Sequence, residues 1–362
     1  MKQRVIVGMS GGVDSTLAAA LLQEAGYDVI GVTLKLYSYE ETVEDTPEAK
    51  RECHPTSFIQ HAKDAASLLD IEHHVIHEEE LFKAEIIQPF VDAYQQGRTP
   101  LPCAKCNRDV KTAALWRAME DLNGDYIATG HYVQRVEADH GAELHRGVDL
   151  RRDQSFFLFM LTYQHIQRHL FPLGGFSKDE TRFHASQRGL KNAQLKASQD
   201  LCFMAKTSYQ SWIHTQDVAL KSGRILHEDG RVLGEHKGLA YFTIGQRQGL
   251  GVGGFEDPVY VTGMNLDTHD LIVGPRTSLG RNVIFLEDIN WVAPDKVGER
   301  IPLWARIRSA SSLIPATFFP DEKRIVLEVP EYGVAPGQAC VFYDQHRMLG
   351  GGWIAKSERI AS

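Results

Sequence analysis

Two short stretches of this chain combine residue types at a spacing that could do chemistry. The first is Val5-Ile-Val-Gly-Met-Ser-Gly-Gly-Val-Asp-Ser-Thr16, where a β-type run enters a pair of glycines and a helical pattern leaves it. Glycines let the backbone approach a ligand closely, and the unpaired N–H groups at a helix start attract an anion. Ser10 and Ser15 add hydroxyl donors. Asp14 falls in the first helical turn, where a carboxylate suits the helix dipole and could also hold Mg²⁺. The loop has neither the G-x-x-x-x-G-K-[ST] nor the G-x-G-x-x-G pattern, so motor, GTPase and dinucleotide readings fail. A glycine turn with a good cap and no ligand is the plainer reading, but strand, loop and helix fall in the order an anion site needs.

The second stretch is Gly97-Arg-Thr-Pro-Leu-Pro-Cys-Ala-Lys-Cys-Asn107, together with the distant Ser198-Gln-Asp-Leu-Cys-Phe203. Prolines at 100 and 102 stiffen a loop that ends in Cys103 and Cys106. Lys105 and Arg108 would favour the thiolate, the form that attacks or ligates. Cys103-x-x-Cys106 could be half of a structural zinc site, but the sequence has no second such pair. Cys53 and Cys340 read as inert, Cys340 as a buried strand residue.

These stretches need elements to hold them. Residues 1–150 alternate β-type runs (Arg4–Val7, Val29–Leu36, His73–Ile76, Tyr126–Thr129) with helical patterns (Asp14–Ala25, His61–Leu69, Phe82–Tyr94, Val110–Leu122). That alternation predicts an α/β fold with a doubly wound parallel sheet and a ligand at the carboxyl ends of its strands. After about Met204 the texture becomes all-β: Gly249–Gly254, Pro258–Thr262, Asp270–Val273, Arg324–Val329 and Ala339–Phe342. A small central β-rich domain and then a barrel are expected. The divisions fall at 1–204, 205–272 and 273–362.

The bulk numbers fit. With 362 residues, 43% of them hydrophobic, two or three globular domains are expected. Apolar stretches such as Ser155–Leu161 are too short to cross a bilayer, and Lys2 and Arg4 lead directly into a strand with no signal-peptide pattern. A cytoplasmic protein without membrane contact is expected. Its five cysteines, an odd and small number, suit reduced, catalytic thiols better than a disulfide scaffold. The net charge of −8 lacks the basic footprint of a DNA-binding protein. Locally, however, 98–117 gathers Arg98, Lys105, Arg108, Lys111 and Arg117 against Asp109 alone, which leaves RNA open.

Ser-Gly-Gly-Val-Asp-Ser resembles the signature of the PP-loop ATP pyrophosphatases, an adenine nucleotide alpha hydrolase-like fold whose members transfer AMP to a substrate oxygen. The resemblance implies that Gly8, Met9, Ser10, Gly11, Gly12, Val13, Asp14 and Ser15 bind ATP, with Leu34 near the adenine and Gly130 near the nucleotide. With the cysteine loops, and with Thr129-Gly-His-Tyr132, Arg152-Asp-Gln-Ser-Phe156, Phe171-Pro-Leu-Gly174, Ile244-Gly-Gln-Arg-Gln-Gly-Leu-Gly251 and Pro336-Gly-Gln338, nearly the whole chain looks like the tRNA-specific 2-thiouridylases. Those enzymes are sulfurtransferases that convert the C2 oxygen of a wobble uridine to sulfur.

The resemblance implies Cys106 as nucleophile and Cys202 as persulfide carrier, charged by a sulfur-donor relay protein and closing a transient disulfide with Cys106. It places Leu101, Pro102 and Cys103 beside the target base, and His131, Arg152, Asp153, Gln154, Arg308, Ser309 and Gln338 at the tRNA; Arg306 and Arg247 are further arginines for that surface. Relatives carry an acidic residue where this chain has Cys103, and often methionine in place of Leu34. Three thiols, Cys103, Cys106 and Cys202, could instead hold a [4Fe–4S] cluster that supplies sulfide. A PP-loop ligase or amidotransferase acting on a small molecule is the remaining alternative.

Overall fold

The computed structural model describes residues 2–37, 55–190, 201–204, 209–216 and 220–359; Cys53 and residues 198–200 lie outside them. The run Arg4–Gly8 (β1) buries Val5, Ile6 and Val7 completely, as a central parallel strand covered on both faces requires. The chain continues through α1 (Val13–Glu24), β2 (Asp28–Lys35), α2 (Pro55–Leu69) and β3 (Glu72–His77). Two helical stretches follow, over 79–95 (α3) and 102–121 (α4), each containing a π-helical segment. Then come β4 (Tyr126–Ala128), the hairpin β5 (Val133–Ala138) and β6 (Gly141–Arg146), α5 (Tyr163–Gln167), β7 (His169–Leu170) and α6 (Lys178–Gln187).

Strand order in the first sheet is β3-β2-β1-β4-β7, with every neighbour parallel. The chain winds outward from β1 to β3 and then returns to the other side of β1. The reversal opens a crevice at the carboxyl ends of β1 and β4, where doubly wound sheets take their ligands.

Past α7 (Tyr209–Thr215), β8 (Gly223–His227), β9 (Val232–His236), β10 (Val259–Asn265) and β11 (Asp270–Pro275) form a sheet in the order β10-β11-β8-β9. The expected division at 272–273 falls inside β11, which pairs with β10 as far as Pro275. Gly249–Gly254, expected as a β-rich run, is not a strand: Gly249, Gly251 and Gly254 take φ of 74°, 70° and 87°, which breaks the pleat.

Six antiparallel strands, β12 (Gly280–Trp291), β13 (Ile301–Arg306), β14 (Ile314–Phe319), β15 (Arg324–Tyr332), β16 (Ala339–Asp344) and β17 (Arg347–Glu358), close into a barrel through β12–β17 pairing. Ile284, Phe318 and Phe342 fill its core. The hairpin β5–β6 joins the same sheet, His145 pairing with Arg347 and the Arg146 N–H donating to the His346 carbonyl at 2.8 Å.

A buried ion cluster reinforces that junction. The Asp153 carboxylate, with no exposed side-chain surface, accepts from Arg306 Nη1 at 3.0 Å, Arg146 Nε at 3.3 Å and the Gly147 and Ser155 N–H groups. Asp153 and Arg306, expected at the tRNA, tie the two domains together here, Asp153 with no exposed side-chain surface and Arg306 with 8%.

Candidate functional site

The phosphate loop takes the shape its sequence demands. Gly11 adopts φ 74°, and a β-carbon there would stand 2.4 Å from the Phe58 carbonyl oxygen, so only glycine fits. The Gly12 carbonyl accepts from the Thr16 N–H at 3.2 Å and the Thr16 hydroxyl at 3.0 Å, and Ser15 Oγ accepts from the Ser10 N–H at 3.1 Å. A β-carbon on Gly130 would lie 2.8 Å from the Asp14 carbonyl carbon, so the loop after β4 sits flush on the first turn of α1. Leu34 ends half-buried near the carboxyl end of β2, packed with Ile6 and Leu115.

Asp14 differs from expectation. Its two carboxylate oxygens accept from Lys178 Nζ at 2.5 and 2.7 Å, and the Tyr132 hydroxyl donates to Oδ1 at 2.7 Å. With both oxygens bonded to an ammonium, Asp14 does not fit the role of magnesium ligand, and no step below passes through that ion. Lys178 opens α6 behind the capping box of Ser177 and Glu180, and is 6% exposed. The capping box was legible in the sequence as a helix start. Nothing in the sequence tied Lys178 to a residue 164 positions earlier.

The thiol loop is held from the barrel side. Gln338 Nε2 donates to the Thr99 carbonyl at 3.0 Å, and the Thr99 N–H donates to the Pro336 carbonyl at 2.8 Å. Gln338, expected at the tRNA, thus grips the loop while its side chain stays partly exposed. Pro102 starts α4, and the π-helical segment Cys106–Thr112 follows. Cys106 and Val110 share a buried cluster with Phe203, whose ring lies 5.1–6.0 Å from those of Trp212, Phe90 and Phe82. Phe203 therefore anchors the turn that presents Cys202 beside Cys106. Cys340 is buried in the barrel, and none of Cys103, Cys106, Cys202 and Cys340 forms a disulfide.

Burial raises the thiols of Cys103 and Cys106 above their ordinary range. Cys202 is exposed to solvent, yet the protein crowding its thiol pushes it up to about 12. Lys111 opposes the rise at all three. Burial alone would weaken the Lys111 ammonium, but the three sulfurs around it hold the proton on more tightly. Burial, with the Lys111 charge adding to it, also lowers His131 to about 3, so its ring is neutral and shares a hydrogen bond of 2.7 Å with Thr129. Gly130 touches the phosphate loop while His131, next in sequence, lies within reach of the Lys111 charge, so the two halves of the site adjoin at this segment.

Among the described residues no three His, Cys, Asp or Glu side chains are grouped to hold a metal ion. With the Lys111 cation set among the sulfurs as well, Cys103, Cys106 and Cys202 do not fit a cluster here. Of the remaining expected tRNA contacts, Arg152, Arg308, Ser309 and Arg247 are exposed, Arg308 paired with Glu331. Gln154 is used internally, its Oε1 accepting from the Tyr132 N–H at 2.9 Å. Leu101 and Pro102 line a cavity of about 670 Å³ between α3 and the barrel.

Three family models match in succession: a tRNA methyl transferase HUP domain over residues 3–206, a tRNA methyl transferase PRC-barrel domain over 214–275 and an aminomethyltransferase beta-barrel domain over 281–354. Fold and site thus define a HUP-class α/β domain that carries converging thiols, followed by two β domains. A tRNA-specific 2-thiouridylase from Orientia tsutsugamushi (strain Boryong) is 41% identical over 98% of this chain and 96% of its own length. Another, from Rhodospirillum centenum (strain ATCC 51521 / SW), is 43% identical over 98% and 92%. The chain belongs to the tRNA-specific 2-thiouridylase family. A solved NMN synthetase from Francisella tularensis superposes with a TM-score of 0.34 at 16% identity, over 58% of this chain and 71% of that one, too loosely to bear on function.

Proposed function

We propose that this protein is a cytoplasmic sulfurtransferase that uses ATP to replace the C2 oxygen of a tRNA wobble uridine with sulfur. The observation that carries the reading is the Thr129–His131 segment, which packs Gly130 on the phosphate loop while His131, next in sequence, feels the same Lys111 charge that acts on the three thiols. Residues 1–204 hold the chemistry, and the β domains after them carry the tRNA, with Arg308, Ser309 and Arg247 exposed for phosphates. Arg152 extends that surface from the catalytic domain. No helix of the described residues is long and apolar enough to cross a membrane.

An amide-type C2 oxygen leaves poorly. The uridine O2 attacks the α-phosphorus of ATP, pyrophosphate departs and N3 gives up its proton. The N–H groups at the start of α1 stabilise the charge that builds on the triphosphate. A donor protein leaves a persulfide on the exposed Cys202. Its terminal sulfur bonds to C2 and AMP leaves with the C–O electron pair. The Cys106 thiolate then attacks Cys202 Sγ and closes a disulfide. The outer sulfur stays on C2 and N3 regains a proton. A cellular dithiol restores both thiols.

A methyl-transfer reading, suggested by the wording of two family models, gives no use to three thiols around one lysine. A small-molecule ligase would release pyrophosphate without tRNA. The test is pyrophosphate release and nucleoside mass spectrometry with ATP, a persulfide donor and unmodified tRNA. tRNA-dependent release with 2-thiouridine formed supports the reading; release independent of tRNA, with no thiouridine, overturns it.

A further inference from the structure

The thiol site contains a half-buried cation that the chemistry above has not used. Lys111 stands on the same helix as Cys103 and Cys106. In a regular α-helix, five residues turn through roughly 500°, which would put Lys111 about 140° away from Cys106. The chain between them is π-helical, with bonds from i to i+5, so position 111 comes round to the face of Cys106. Asn107 completes the placement. Its Nδ2 donates to the Phe157 carbonyl at 3.1 Å, which turns Oδ1 toward Lys111 Nζ at 3.2 Å. Phe203, in the cluster that contains Cys106 and Val110, brings Cys202 to the same place from the opposite side.

The other charges around the thiols are already matched or neutral. Asp109 is held by Arg108 at 2.5 Å, Lys105 by Glu85 at 3.1 Å, and His131 is uncharged. Lys111 Nζ bonds the amide oxygen of Asn107 and its charge acts on the three sulfurs, and no carboxylate of the described residues pairs with it. We infer that Lys111 is a catalytic residue of sulfur transfer, the shared counter-cation of one anionic sulfur at a time. This rests on the sulfur-transfer reading above. The negative charge begins on the terminal sulfur of the Cys202 persulfide and leaves with AMP when the C2–S bond forms. A second anion then appears at Cys106 as its proton is lost, and it is spent when Cys106 bonds to Cys202 Sγ and the electron pair of the broken S–S bond moves onto the sulfur at C2. One lysine serves both because the two anions never coexist. A site this dry would otherwise hold its thiols protonated.

The test reads the thiols directly. Wild-type protein, Lys111→Met, Lys111→Gln and Lys111→Arg are alkylated with iodoacetamide between pH 6 and 10 without ATP or tRNA, and each cysteine is followed by mass spectrometry. Thermal melts establish that each variant is folded. Alkylation of Cys106 at pH 7.5 is expected to slow by about tenfold in Lys111→Met and Lys111→Gln, its pH profile moving up by about one unit, while Lys111→Arg stays within about threefold of wild type. Unchanged Cys106 profiles in folded Lys111→Met and Lys111→Gln overturn the inference. So does a loss equal in Lys111→Arg and Lys111→Met, which marks a packing role. Because no tRNA is present, a shifted profile in a protein that fails to thiolate tRNA sinks the sulfurtransferase reading and leaves the counter-cation standing.

Discussion

The two ends of the site each receive a lysine, buried at one and half-buried at the other, and the two lysines meet opposite partners. At the phosphate loop, Lys178 lies against the Asp14 carboxylate, and the pair is closed. At the thiol loop, Lys111 faces three sulfurs that burial keeps protonated. The first lysine fixes a geometry; the second waits for a charge. A fixed pair suits a loop that must hold one shape while a triphosphate binds. A cation among ionisable thiols suits a step in which charge appears and disappears. The difference lies chiefly in the partners, since both lysines are largely withdrawn from solvent and both open or line a helix.

The comparison sets the expected effects in order. Cys106→Ser and Cys202→Ser remove the sulfur carriers, so each is expected to abolish 2-thiouridine by mass spectrometry, while pyrophosphate release survives in at least one of them. Normal thiouridine from either variant removes that cysteine from the mechanism. Asp14→Ala is expected to abolish pyrophosphate release and also to lower stability, because it leaves the Lys178 ammonium buried without its carboxylate. The cost should be about 2 kcal/mol, below the roughly 3–5 of a fully buried pair, since 31% of the Asp14 side chain is exposed. Denaturant unfolding would show it, and Asp14→Asn with Lys178→Met should recover part of it. A wild-type melt for Asp14→Ala would show that the pair is not closed.

Gln338→Ala is expected to lower kcat several-fold and stability by about 1 kcal/mol, with KM for tRNA nearly unchanged. A raised KM with kcat intact would return Gln338 to the tRNA surface. The smallest effect is expected at Cys103. If charge passes only between Cys202 and Cys106, Cys103→Ser keeps more than about a tenth of the wild-type rate, a barrier change below ~1.4 kcal/mol. Anaerobically purified protein holding about four irons per chain, with iron and activity lost together in Cys103→Ser, would replace the persulfide by cluster-bound sulfide.

The phosphate loop was legible because strand, glycines and cap are contiguous, and local conformation is what sequence reports best. Cys106 and Cys202 were legible as chemistry, but their meeting depends on Phe203 finding an aromatic pocket, which no local pattern encodes. The family resemblance implies Asp153, Gln154 and Gln338 at the tRNA, with Arg306 a further arginine for that surface, and says nothing of the bonds they make inside the fold. Three of them tie the catalytic domain to the barrel, and Gln154 braces the Tyr132 backbone inside the catalytic domain; the docking that engages them, and buries Asp153 and Arg306, is a property of the assembled fold. The hairpin β5–β6 shows the same limit, since its sequence lies in one domain and its sheet in another.

The grip of Gln338 on Thr99 also sets a timetable. The two residues are 239 positions apart, so at about 5–20 residues per second a ribosome makes the Cys103–Cys106 loop roughly 12–48 s before the glutamine that holds it. Over that interval the nascent chain carries the Cys103–Cys106 loop unfastened, the parallel sheet being completed only when β7 is made and the barrel still unclosed. The loop takes its final hold only once residue 338 has been made.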